Sequence, residues 1–254
     1  AVALATALSG CDGHVSINGK EGKKLSELDL SGKAPTELVL AGPDEVRVTQ
    51  GDTLAISVEG DAEVKEHLRF TLDGDTLGVM REHKWRDGEG KSVVVLVTMP
   101  ALREITMAGS GKISAPVLSG GSKVTIAGSG TVETAQVSGD SLDLTVAGSG
   151  NYRAAGAVRS LDMTVAGSGS AMLEGLKADT AKVTIAGSGD ASFASDGEVK
   201  ADIMGSGTVT VRGRARCKVS SMGSGRLVCE SVDAAPAAPE APPAPEAPEP
   251  PKAP

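Results

Sequence analysis

Leu142-Asp143-Leu144-Thr145-Val146-Ala147-Gly148-Ser149-Gly150 and Leu161-Asp162-Met163-Thr164-Val165-Ala166-Gly167-Ser168-Gly169 are almost the same phrase written twice. Within each, apolar residues alternate: Leu142, Leu144 and Val146 fall on one side, Asp143, Thr145 and Ala147 on the other. Alternation with period two marks a half-buried strand. The same frame runs through Ala181, Val183, Ile185 and through Val199, Ala201, Ile203. Beyond each Gly-Ser-Gly a second short strand keeps the phase, at Val132, Tyr152, Ala171 and Leu173, Ala191 and Phe193, Val209 and Val211, and Leu227 and Cys229. Each unit therefore reads as about two strands joined at a glycine corner.

The corner recurs seven times: Gly109-Ser110-Gly111, Gly128-Ser129-Gly130, Gly148-Ser149-Gly150, Gly167-Ser168-Gly169, Gly187-Ser188-Gly189, Gly205-Ser206-Gly207 and Gly223-Ser224-Gly225, with starts 19, 20, 19, 20, 18 and 18 residues apart. A unit this short cannot bury its own apolar face, whereas stacked units bury a continuous core. The sequence predicts an all-β fold, a single-stranded parallel β-helix of right-handed winding, with coils about 4.8 Å apart. Glycine at each corner permits backbone angles and close approaches that a Cβ forbids. The seven serines are expected to stack as a ladder along one edge. A flexible Gly-Ser linker would not carry phased aliphatic residues between its glycines. Charges alternating into the strands, such as Asp143, Asp162 and Lys182, disfavour a silk-like aggregate.

Around this repeat, which spans residues 105–230, the chain divides further. Residues 36–104 hold strand-like runs separated by Gln50-Gly51-Asp52 and Asp73-Gly74-Asp75, with one helical turn over Ala62–His67. They are expected to continue the β architecture and close one end of the column, because an open coil exposes unpaired backbone. Residues 1–10 are apolar and small and read as a signal-peptide remnant. Leu8-Ser9-Gly10-Cys11 has the form of a bacterial lipobox, which makes Cys11 the expected lipidation site and residues 11–35 an anchor and linker; the alternative is a short apolar strand with an ordinary cysteine. Acyl chains anchor stably because each buried methylene contributes about 0.8 kcal/mol. Residues 231–254, rich in Pro, Ala and Glu, read as a disordered tail.

Composition excludes several classes of function. The net charge of −8 argues against nucleic acid, whose phosphates need a basic surface. Aromatic residues make up only 2% of the chain, too few to line the pockets of a large enzyme. Neither a phosphate loop nor a Gly-x-Ser-x-Gly nucleophile elbow is present. His14, His67 and His83 lie off the repeat and read as surface or loop residues. Asp73, Asp75, Asp87 and Glu89 are better explained by Asp-Gly turns than by a cation site. No catalytic residue, metal or cofactor is expected. Cys217 and Cys229 fall on inward positions of the last coil, where an oxidising compartment would favour a disulfide pinning the end over two buried thiols.

Glu45-Val-Arg-Val-Thr-Gln-Gly-Asp, Ser57-Val-Glu-Gly-Asp, Asp73-Gly-Asp-Thr-Leu and Val97-Thr-Met-Pro-Ala-Leu-Arg-Glu-Ile, followed by the Gly-Ser-Gly units, resemble the auto-transporter adhesin head (GIN) domain over roughly residues 36–228. The resemblance implies a β-helical, exported bacterial envelope protein, often a lipoprotein, and supplies no catalytic residues. The expected function is non-enzymatic: a lipid-anchored protein of the cell envelope, periplasmic or surface-exposed, presenting its β-helical surface to an envelope glycan or protein. Its membrane contact is then the anchor, nucleic acid is not a partner, and the oligomeric state is open. One alternative is a β-helical polysaccharide-active enzyme, which needs converging acids and bases where the repeat offers scattered Lys182, Lys200, Asp190 and Asp202. Another is a purely structural or sensory envelope module.

Overall fold

The computed structural model describes residues 16–17, 19–82 and 91–230. Two short strands, β1 (Ser16–Ile17) and β2 (Lys20–Glu21), and a 3-10 turn at Leu25–Glu27 come first. The strands β3 (Glu37–Ala41), β4 (Glu45–Gln50) and β5 (Ala55–Glu59) precede a helix, α1 (Ala62–Glu66). Then follow β6 (Leu68–Asp73), β7 (Thr76–Arg81), β8 (Val94–Met99) and β9 (Glu104–Gly109). The repeat itself forms long, bent strands: β10 (Lys112–Gly128), β11 (Thr131–Gly148), β12 (Asn151–Gly167), β13 (Ser170–Gly187) and β14 (Asp190–Gly205). Three shorter strands end the column: β15 (Thr208–Arg212), β16 (Arg216–Gly223) and β17 (Arg226–Glu230).

Successive coils pair in parallel and in register. Leu142 pairs with Leu161, Leu161 with Ala181, and Ala181 with Val199. Each inward position is thus a column of side chains running along a solenoid of about seven turns. Leu142, Leu144, Val146, Met163, Val165, Val183 and Ile185 are at most 1% exposed, and burying each such side chain stabilises the fold by about 1.5–3 kcal/mol. Tyr152 fits this narrow interior because Ala171 takes its place one coil on. Its hydroxyl donates to Thr134 Oγ1 at 3.3 Å, and burial pushes its pKa up to about 12.

Each coil has three inward runs rather than the two read from the sequence. In β11 they are Val132 and Thr134, then Val137, then Leu142, Leu144 and Val146. Ala135-Gln136 and Gly139-Asp140 are consecutive exposed residues, so alternation breaks twice and the strand bends twice. The parallel register shifts at the first of these bends in three successive pairings, between Thr134 and Val137, Arg153 and Ala155, and Leu173 and Lys177, as bulges do.

The segment before the repeat continues the column out of chain order. β3 lies between β7 and β9, parallel to both, and β4 lies between β8 and β10 in the same way. The coil built from β3 and β4 therefore sits between the Gly-Ser-Gly coils and the β7–β8 coil, which follows it in sequence. Beyond β7 and β8 the strands β6 and β5 pair antiparallel and terminate the parallel stack. α1 is capped by Asp61, whose carboxylate accepts from Glu63 N and Val64 N at 2.9 and 3.3 Å, and Val64 closes over the core. Asp44, 1% exposed, is held by Arg81, whose Nε donates at 3.1 Å, and by Val93 N, also at 3.1 Å.

The opposite end differs. Among the described residues no coil stacks on the last one, β16 and β17, and its residues are half-buried or exposed. Cys217 and Cys229 are joined as a disulfide with Cα atoms 6.8 Å apart. Cys217 pairs with Val199 and Cys229 with Val211, so both continue inward columns. Neither reaches full burial, because no further coil among the described residues covers them.

Candidate functional site

The glycine corners form the most regular feature of the molecule. At Gly148 φ is +115°, and an added Cβ would lie 2.5 Å from Gly128 O. Gly150 has no such φ, yet its Cβ would meet Ile126 Cγ2 at 2.4 Å. The first glycine is thus required by backbone angle and the second by the core beneath it. The corners also bind one another: Ser149 N donates to Gly128 O and Ser168 N to Gly148 O, each at 2.9 Å. All seven serines, Ser110 to Ser224, are exposed. Their hydroxyls make no hydrogen bond to one another among the described residues.

A shallow groove of about 670 Å³ runs across the coils of β4 and β10–β13. It lies where the bulges bend the strands, a feature no sequence periodicity announced. Its floor is made of small residues, Ala115, Pro116, Ala135, Ala154, Ala155 and Gly175. Gly175 keeps that floor low, since a Cβ there would meet Ala155 Cβ at 2.9 Å. The walls carry Arg47, Glu133, Arg153 and Glu174, two charges of each sign. Arg47 pairs with Glu45 at 2.7 Å. Glu133 accepts from Lys112 at 2.7 Å and from Arg153 at 3.4 Å; the Lys112 hydrogen bond, and then Arg153, hold its carboxyl below the usual range. Glu174 accepts from Ser192 Oγ at 2.8 Å and is likewise lowered, chiefly by a backbone hydrogen bond and then by Ser192. The bulges leave Ala135 and Glu174 outside the register pairs of the parallel ladder, so a ligand here meets side chains and the backbone of the bends.

The residues that a polysaccharide-active site would need do not converge. Lys182 and Lys200 are register neighbours on one outer column, and Asp202 pairs with Thr184 on the next. Asp190 stands elsewhere on the coil, accepting from Thr208 N at 3.0 Å. Among the described residues no group of three or more His, Cys, Asp or Glu could hold a metal. Asp73 and Asp75 pair with Lys20 and Lys33 at 3.6 and 2.7 Å. His67 is more engaged than a loop histidine: its Nδ1 lies 2.8 Å from Glu82 Oε2, and Arg69 also binds Glu82. Cys11, His14, His83, Asp87, Glu89 and the 231–254 tail lie outside the described residues. No helix among the described residues is long and apolar enough to cross a membrane.

Three solved structures share this architecture. A putative adhesin of Bacteroides fragilis aligns with a TM-score of 0.69 at 16% identity, covering 78% of this chain and 93% of its own. A putative lipid binding protein of Parabacteroides distasonis aligns with a TM-score of 0.60 at 23% identity, covering 77% and 92%. A putative adhesin of Parabacteroides merdae gives 0.55 at 16% identity, covering 78% and 92%. These likenesses establish the fold. No curated protein matches the chain. The family model described as putative auto-transporter adhesin, head GIN domain, matches residues 34–215, and the chain belongs to that family.

Proposed function

We propose that this is a non-enzymatic, adhesin-like protein of the bacterial envelope, tethered through lipid on Cys11, whose side groove contacts an envelope glycan or protein. The observation that carries the reading is the groove itself. It is long, open and shallow, with a floor of small residues and walls whose charges are balanced, Arg47, Glu133 and Arg153 in ion pairs and Glu174 held by Ser192. Such a surface holds an extended ligand by many weak contacts, and it brings no acid and base to one bond. Side chains such as Arg47, Arg153 and Glu174 line its walls and carry the recognition.

Crosslinking in intact cells, with capture through the full chain, tests the reading. Ala135→Trp fills the groove and is expected to abolish the captured glycan or protein partner while the fold persists. Retention of the same partner by this variant would place the contact elsewhere. Turnover of a uronate polymer would make the protein an enzyme instead. Cys11→Ser is expected to release the chain from the membrane fraction; unchanged fractionation would dispose of the anchor.

A further inference from the structure

Among the described residues the large exposed apolar side chains are Met204, Val219 and Met222, at 49%, 54% and 73% exposure. All three lie at the open end of the column. Met204 and Met222 are register partners on one outer column, where earlier coils carry Ala147, Ala166 and Ala186. Val219 continues the inward column of Ala201 and is exposed because no further coil among the described residues stacks on it.

The same end is basic. Residues 212–230 contain Arg212, Arg214, Arg216, Lys218 and Arg226 against one carboxylate, Glu230. Arg212 reaches Glu230 at 3.6 Å, Arg214 reaches Asp196 at 3.9 Å and Lys218 reaches Glu198 at 2.9 Å. Arg216 and Arg226 have no ion pair among the described residues.

We propose that the open end of the solenoid docks on an anionic lipid surface, with Met204, Val219 and Met222 entering the interface and the surrounding cations facing the headgroups. Exposed apolar side chains ringed by Lys and Arg are the physical signature of interfacial binding. A second copy of the same end is disfavoured, since it would set like charges against like. This contact is independent of the side groove, which faces outward along the coil sides.

The test uses the full chain carrying Cys11→Ser, so that no acyl group contributes, in flotation with two kinds of vesicle. Vesicles of phosphatidylethanolamine with phosphatidylglycerol should carry the protein, and phosphatidylcholine alone should not. Binding should weaken by about tenfold or more in Arg216→Glu/Arg226→Glu and vanish in Met204→Ser/Val219→Ser/Met222→Ser. Both variants change exposed residues, and unchanged melting temperature verifies their fold. Equal binding to both vesicles, binding indifferent to both variants, or no binding would overturn the proposal. So would displacement by millimolar inorganic phosphate, which marks a free-anion site, or a lipid-free dimer lost in the apolar variant, which marks a contact between chains.

Discussion

Replacing Gly148 with alanine tests the corner geometry at one atom. The residue sits at φ +115°, and the new Cβ would stand 2.5 Å from the carbonyl oxygen of Gly128 on the neighbouring coil. Ordinary contact begins near 3.4 Å, so the coils must part by about 1 Å or the corner must twist. A non-glycine residue in such a backbone region costs about 1–3 kcal/mol, and forced overpacking about 1–3 kcal/mol more. The combined loss is about 2–6 kcal/mol, which for a domain of this size lowers the melting temperature by about 4–24 °C. Gly121 provides the internal control. It has no positive φ, and its added Cβ would meet only Ser141 Oγ at 3.5 Å. Gly121→Ala should therefore stay within about 0.5 kcal/mol of the parent or gain slightly, through a less disordered unfolded chain. Urea unfolding followed by far-ultraviolet circular dichroism reads both. Equal stability of the two variants would refute the reasoning.

Other expectations follow from single residues. Ser122 Oγ is buried with no hydrogen-bond partner on the column that Leu142 continues; Ser122→Ala should stabilise by about 1 kcal/mol, and a lower urea midpoint would contradict this. Reducing the Cys217–Cys229 disulfide, which closes a span of 12 residues, should cost about 3 kcal/mol; hydrogen exchange should quicken in β16 and β17 and leave β11 and β12 protected. The His67 hydrogen bond, and then Arg69, keep the Glu82 carboxyl below its ordinary value. Its contribution to stability is therefore present above the unfolded pKa of about 4.3 and is lost as pH falls through the folded value. Melting curves of the parent and Glu82→Gln should converge on acidification, and parallel curves across pH would count against the cluster.

Much of the column could be read from the chain because its physics is local. Leu142, Leu144 and Val146 alternate without interruption, and each glycine corner returns at nearly constant spacing. The third side of each coil could not be read that way. Val137, Val158 and Leu176 are isolated apolar residues between bends of variable composition, so no period exposes them. The groove arises from those same bends and was equally hidden. The coil of β3 and β4 turns at Gly42-Pro43-Asp44 instead of Gly-Ser-Gly, and its place between β7 and β9 depends on pairings distant in sequence. The inward register of Cys217 and Cys229 was legible, while their partial exposure depends on where stacking ends.

The most direct measurement of the stacked column is a set of electron-spin distances along one outer column. Glu104, Lys123, Asp143, Asp162, Lys182, Lys200 and Lys218 are successive register partners. Nitroxides placed at Glu104 and, in turn, at Lys182, Lys200 and Lys218 should give separations of about 19, 24 and 29 Å, rising by about 4.8 Å per coil. Separations that fail to grow with coil number, or that spread as in a random chain, would contradict the account.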